Sequence, residues 1–170
     1  KDYVVGSPTI DVSAASLSGF TYIVGNGPST AQTFTVSGSN LTGNISVNPP
    51  TNYEISQSSG SGYGSSISLT PSGGTVSSTS IYVRLKAGLS AGNYNGETIN
   101  ITSSGATSKT VTCSGTVTTP TITVSTTGLT GFTYNLGAGP SSSQNFTVSG
   151  SSLTANISLS APTNYEISTS

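Results

Sequence analysis

The chain has 170 residues, of which 5% are charged, and its net charge at pH 7 is −1. Its four basic side chains, at Lys1, Arg84, Lys86 and Lys109, are too few to neutralise a run of phosphates, which argues against a nucleic-acid partner and a polybasic membrane-surface site. No apolar run approaches the roughly 18 residues that a membrane helix needs, so direct membrane insertion is not expected.

Residue types that carry most enzyme chemistry are scarce. The chain has no His, Trp or Met and a single cysteine, Cys113. Without His, neither a Ser–His–Asp nor a Cys–His site can form, and a two-carboxylate site would need two of five scattered acids to converge. Among the acids, Asp11 and Glu54 are the candidates for a cation ligand, and neither lies in a calcium-loop motif. The sequence therefore predicts a protein that is not an enzyme and has no catalytic residue, metal site or cofactor.

Short runs of alternating polar and apolar residues, separated by Gly, Pro, Asn and Ser clusters, predict β-strands throughout the first two thirds of the chain. The predicted strands, in chain order, are 9–12, 20–24, 32–37, 44–48, 53–56, 66–70, 80–86, 97–102 and 109–117.

Alternation also predicts which side chains face the core. In "SIYVRLK", Ile81, Val83 and Leu85 lie on one face, and Tyr82 and Arg84 lie on the other. The same pattern in "TVTCSG" places Cys113 inward, where a thiol behaves as a small apolar group.

The stretch "PTNYEIS" occurs twice, and Pro50 in the first copy corresponds to Pro162 in the second, an offset of 112 residues. The match extends back to Pro8 and Pro120, and 34 of the 51 aligned residues are identical. Such repetition indicates a tandem module. Three parts are predicted: a lead-in segment, 1–7; a complete module, 8–118; and the first half of a second copy, 119–170. Because "GTVTTPTITV" leaves almost no spacer, we expect successive modules to abut stiffly.

A module of about a hundred residues with seven to nine short strands is typical of an immunoglobulin-like β-sandwich. We therefore predict an all-β fold of tandem Ig-like modules with Greek-key connections and a period of about 112 residues.

Several segments resemble a known class of repeats: "FTVSGSNLTGNISV", "PTNYEIS", "IYVRLKAGLSAGNYNGETINITSSGA" and "VTCSGTV". They are similar to the tandem Ig-like repeats of large secreted and cell-surface proteins of Bacteroidetes, which commonly occur in type IX secretion cargo of adhesin-like or filamentous character. The resemblance covers nearly all of the chain from Pro8 onward. It implies an extracellular, cell-surface location and a role as a structural spacer.

The second module has counterparts of only the first five predicted strands. Two explanations remain open: the chain is part of a longer repeat protein, or a neighbouring subunit completes the half-module by strand addition. In the second case, the assembly edge would be formed by Asn164, Tyr165, Glu166 and Ile167.

The predicted function is that of a non-enzymatic structural repeat in a bacterial surface fibre, filament or adhesin stalk. Its expected partners are copies of itself or adjacent modules of the same chain. The alternative is a carbohydrate-binding module of a secreted enzyme, in which surface glycans contact Tyr63 and the outward-facing Tyr82. For the fibre or stalk, any adhesive specificity would lie in loops such as 57–65 or in a domain outside this sequence.

Overall fold

A computed structural model describes residues 6–169 and shows an all-β protein. Contacts divide the chain after Thr118 into two compact units. No helix long and apolar enough to cross a membrane is found within residues 6–169. The strands of the first unit are β1 (Thr9–Val12), β2 (Ser16–Ile23), β3 (Gln32–Ser39), β4 (Ile45–Asn48), β5 (Tyr53–Ser56), β6 (Ile67–Leu69), β7 (Val76–Leu85), β8 (Gly92–Thr102) and β9 (Lys109–Thr118).

These strands form two sheets. The first sheet has the order β1-β3-β7-β5 and is antiparallel throughout. The second sheet has the order β2-β9-β8-β4-β6. Its pairs are antiparallel except for β2 and β9, which run parallel over seven residue pairs from Ser16↔Thr112 to Ile23↔Thr118. The first and last strands of this sheet in chain order, β2 and β9, are therefore neighbours.

Both sheets contribute to one apolar core, the arrangement of a β-sandwich. Ile81, Val83 and Leu85 of β7 and Ile99 and Ile101 of β8 have no exposed surface. The predicted inward alternation of β7 is thus confirmed. The opposite face of β7 is less exposed to solvent than predicted, because Tyr82 is half-buried.

Glycine permits two bulges that flank the same part of β9. Gly19 (φ 82°) lies where the register of β2 against β9 shifts, and Gly96 (φ 73°) lies at the shift of β8 against β9. A positive φ is strained for residues with a Cβ atom, so these positions favour glycine.

The predicted strands agree with the observed strands to within one or two residues at most ends. The larger differences are at three N-termini, since β2, β7 and β8 begin at Ser16, Val76 and Gly92, between four and five residues before the predicted starts. Each of these extensions carries Gly or several Ser and Thr residues, which weaken the apolar alternation. Pairing with a neighbouring strand decides their conformation.

The second unit has two strands among residues 119–169, β10 (Thr121–Val124) and β11 (Val148–Ser151). They pair antiparallel from Thr121↔Ser151 to Val124↔Val148, which repeats the β1–β3 register at an offset of 112 residues. The expectation of five strand equivalents in this unit is wrong. In the first unit, β2, β4 and β5 pair with β9, β8 and β7, and none of these partners has a counterpart in residues 119–169.

Burial differs accordingly between the two copies of the repeat. Residues 8–58 contribute ten buried apolar side chains to the first unit, and nine recur unchanged 112 residues later, while Val47 is replaced by Leu159. None of the ten counterparts is buried. Ile55 is 1% exposed, for example, whereas Ile167 is 48% exposed.

The pair Ile55 and Ile167 provides a matched test of packing. We expect Ile55→Ala to lower the free energy of unfolding of the first unit by about 2–5 kcal/mol, because it opens a cavity in a closed core. Ile167→Ala should change stability by less than about 0.5 kcal/mol, because the side chain is already half in solvent. Urea unfolding of both variants measures the difference, and equal losses would contradict the packing described above.

Candidate functional site

The most elaborate group of polar and aromatic side chains lies on the outer face of the first sheet, where β5 and β7 are paired. Glu54 and Arg84 are direct cross-strand partners, and Arg84 Nε donates to Glu54 Oε1 at 2.7 Å. The guanidinium carbon of Arg84 lies 3.6 Å from the centre of the Tyr63 ring. Arg84 therefore makes an ion pair and a cation–π contact at the same time.

This arrangement fixes the loop 57–65 against the sheet. Backbone bonds join Ile55 and Gly64 in both directions, and the Ser56 hydroxyl donates to the Ser61 carbonyl at 2.5 Å. The Tyr63 hydroxyl donates to the Ser59 carbonyl at 3.1 Å. Partial burial raises the pKa of Tyr63, and the positive charge of Arg84 acts in the opposite direction. With both charges paired and the tyrosine neutral, these contacts hold the loop in one conformation.

Tyr63 and Tyr82, the two predicted glycan contacts, are both half-buried. Arg84 covers one face of the Tyr63 ring, so that face is closed to a sugar. Tyr82 is the strand partner of Ser56 and Thr33 on either side of β7. No observed contact bears on sugar binding, and this use of the two tyrosines stays a prediction.

Two other tyrosines connect the two halves of the first unit. The Tyr22 hydroxyl donates to the Lys86 carbonyl at 2.7 Å and accepts from the Leu89 amide at 3.1 Å. The Tyr53 hydroxyl donates to the Tyr94 carbonyl at 2.7 Å, and its ring packs edge-on against Phe20 at 5.3 Å. The Tyr53 side chain is fully buried in the core. Its hydroxyl finds a partner at the edge of the core, as buried tyrosines usually do.

Cys113 is fully buried on β9, which confirms its predicted inward position. Burial raises the pKa of its thiol from 9.0 to about 12, and the negative charge of Glu97, its strand partner, acts in the same direction. Since the thiolate is the reactive form, the thiol is unreactive at neutral pH.

The acidic residues are dispersed. Asp11 and Glu54, the two candidate cation ligands, lie on β1 and β5, the two outer strands of the first sheet. Within residues 6–169, no group of three His, Cys, Asp or Glu side chains is placed to hold a metal ion.

Surface hollows are shallow and contain few titratable groups. A hollow of about 290 Å³ between β6 and β7 is lined by Leu69, Val76 and seven uncharged polar residues. A second, of about 200 Å³, lies beside β1 and includes Asp11 and Lys109.

Residues predicted to form an assembly edge, Asn164, Tyr165, Glu166 and Ile167, are exposed and lie outside the strands. The Tyr165 amide donates to the Pro162 carbonyl at 3.1 Å, and the Tyr165 ring packs edge-on against Phe132 at 5.5 Å. Sequence reasoning missed this aromatic pair, although it repeats Phe20 and Tyr53. It also missed the contact between Arg84 and Tyr63, for which strand alternation gives no signal.

Comparison with known proteins gives limited similarity. No protein-family model matches the chain, and no curated protein matches it. Among solved structures, the CooA pilin subunit from enterotoxigenic Escherichia coli is similar over 66% of this chain and 99% of its own, with 16% sequence identity and a TM-score of 0.39.

The buried thiol predicts a loss of stability at high pH. Below pH 9 the thiol is neutral in both the folded and the unfolded chain. Between pH 9 and about 12 it ionises only when unfolded, so the unfolded state binds fewer protons and stability falls as pH rises. One such group contributes at most about 1.4 kcal/mol per pH unit.

Urea unfolding of the natural chain and of Cys113→Ala between pH 8 and pH 10.5 measures this contribution. The variant should lose stability less steeply with pH, whatever its absolute stability. Identical slopes for the two proteins would show that Cys113 does not ionise on unfolding.

Proposed function

We propose that the chain is a non-enzymatic structural repeat of an extracellular bacterial surface fibre or stalk. The proposed modules are Ig-like and Greek-key, similar to the tandem repeats of Bacteroidetes surface proteins. The function would be mechanical. Each module would add length to the fibre, project it from the cell surface and carry tension along it. Its partners would be adjacent modules or copies of itself.

The observation that carries this proposal is the parallel pairing of β2 with β9. These strands lie close to the two ends of the first unit's chain path, and seven residue pairs join them. The ladder continues through the Thr112 amide to the Ala15 carbonyl at 3.0 Å and the Val24 amide to the Thr118 carbonyl at 2.9 Å. A force that pulls the two ends of the unit apart loads these bonds in shear, so they must fail together.

Two further observations support the proposal. The repeat recurs with 34 identities in 51 residues, and only Thr119 and Pro120 separate β9 from β10, so tension passes from one unit to the next through a short connection. The packing layer is retained in the repeat, since nine of the ten core residues in 8–58 recur.

Force spectroscopy on the 170-residue chain, held by its two ends between marker domains, tests the load path. Unfolding of the first unit should appear as one rupture with a contour gain of about 350–400 Å, since an extended chain spans about 3.3–3.6 Å per residue. Val24→Pro removes the amide that donates to Thr118 at the end of the parallel ladder. It should lower the rupture force.

Ser72→Pro is the matched control, because it removes a backbone donor from the Ser72–Thr75 turn, which lies away from β2 and β9. Each variant should cost about 0.5–1.5 kcal/mol in equilibrium stability. Only Val24→Pro should weaken the module under tension. Equal rupture forces for the two variants would overturn the assignment of β2–β9 as the force-bearing contact.

A further inference from the structure

The chain contains two Asn-Gly dipeptides, Asn26–Gly27 and Asn95–Gly96. The carboxamide of an asparagine is open to attack by the backbone nitrogen of the next residue, and glycine hinders that approach least because it has no Cβ atom. Asparagine is accordingly among the thermolabile residues of proteins. The first unit places the two dipeptides in different surroundings, so the fold determines which of them reacts.

Asn95 and Gly96 lie at the bulge of β8. The strand partners on β9 are Ser114 for Asn95 and Cys113 for Glu97. Gly96 is the extra residue between these two pairs and has no partner residue on β9. Its amide donates to the Ser114 hydroxyl at 3.4 Å, which is longer than the roughly 2.9–3.0 Å usual for such bonds. The nitrogen that must attack is therefore held more weakly than the amides of the ladder.

The surface at the bulge leaves room for the two reacting groups to approach each other. Asn95 and Gly96 are both exposed. A Cβ atom on Gly96 would meet no heavy atom of residues 6–169 within 4 Å beyond its chain neighbours. The nearby Asn93 is more restrained, because its Oδ1 accepts from the Thr116 hydroxyl at 2.9 Å. The peptide between Asn95 and Gly96 is thus free to rotate without displacing another part of the chain.

Asn26 and Gly27, in the turn after β2, are closely packed. The Asn26 amide donates to the Ile23 carbonyl at 2.8 Å. A Cβ atom on Gly27 would lie 2.7 Å from two atoms of the Tyr22 ring and 3.0 Å from the Ala87 Cα. Two hydrogen bonds to the Tyr22 hydroxyl hold that ring in place. Ring closure at Asn26 must therefore wait for a local opening of the turn.

We propose that Asn95 is a site of spontaneous deamidation in the folded protein and that the fold protects Asn26. The Gly96 nitrogen attacks Cγ of Asn95, so that the N–Cγ bond forms and the Cγ–Nδ2 bond breaks. Ammonia leaves with the proton of the Gly96 amide, and a succinimide ring remains. Water then opens the ring at one of its two carbonyl carbons, which gives aspartate or isoaspartate. This inference rests on the bulge and is independent of the proposed function.

The bulge also allows the first unit to accept the product. Isoaspartate lengthens the main chain by one carbon atom, and here that atom falls where the β8–β9 ladder is already interrupted. The pairs on either side, Tyr94↔Gly115 and Thr98↔Thr112, need no change of register. Each event adds one negative charge to a chain whose net charge at pH 7 is −1, so the aged protein becomes more acidic while it stays folded.

The test is to incubate the full 170-residue chain in mildly alkaline buffer and to locate the products by peptide mass spectrometry. Trypsin cleavage after Lys86 and Lys109 releases residues 87–109, in which fragment spectra identify Asn95. A separate chymotrypsin digest reports on Asn26. In the folded chain, deamidation at Asn95 should be at least about fivefold faster than at Asn26, which reacts only through opening of its turn. In guanidinium chloride the two rates should approach each other, because both dipeptides are then unfolded.

Asn95→Gln is the matched control, because it keeps a carboxamide at the bulge while the ring that would have to form is one atom larger. The acidic species that accumulates in the folded natural chain should fall to the background level set by Asn26. Asn95→Asp reproduces one product of the reaction. It should match the aged chain in charge and keep the circular dichroism spectrum of the natural chain.

Equal rates at the two asparagines in the folded chain, or a faster reaction at Asn26, would overturn the proposal. So would an Asn95 that stays intact in the folded chain and reacts only in denaturant. Loss of the folded spectrum in the deamidated chain would contradict the acceptance of the product by the bulge.

Discussion

Three of the five strands in the first half of the repeat, β2, β4 and β5, pair only with strands from its second half. β7 pairs with β3 and β5, β9 pairs with β2, and β8 pairs with β4. Only β1 and β3 pair within the first half. The second unit shows the effect of this dependence, since its two strands are the counterparts of that one self-sufficient pair. Strand propensity alone does not hold the other segments in sheets, because their backbone groups need partners.

Side chains reinforce the same connection between halves. The hydroxyl groups of Tyr22 and Tyr53, in the first half, donate hydrogen bonds to backbone carbonyls of the second half. The buried Ser29 hydroxyl accepts a hydrogen bond from the Leu85 amide at 3.0 Å. A tyrosine in this role adds apolar area and one directional bond. The directional bonds give the two sheets a defined alignment that apolar packing alone would specify less strictly.

Alternation in the sequence was sufficient to predict the existence of β3, β5, β7 and β9 and the inward faces of β7 and β9. It could not predict which strands are neighbours, because the parallel pairing of β2 and β9 brings together residues about 95 positions apart. Tyr82 was predicted to be exposed from its outward face, but its position between two strands leaves it half-buried. Contacts such as Arg84 with Tyr63 depend on the path of a loop, for which no periodic signal exists. The 112-residue repeat identified the core positions of the second unit but not their exposure, which depends on strands outside residues 119–169.

The open surface of the second unit affects how proteases would attack the chain. Proteases cleave accessible, weakly structured segments most readily, and residues 119–169 contain many of them. Yet Lys109 is the last basic residue, so an enzyme that requires Lys or Arg has no cleavage position in that unit. Enzymes that cut beside aromatic or long aliphatic residues would instead meet Tyr134 and Leu136, both well exposed. Susceptibility of the chain to digestion is therefore determined by the specificity of the protease rather than by the stability of the folded first unit.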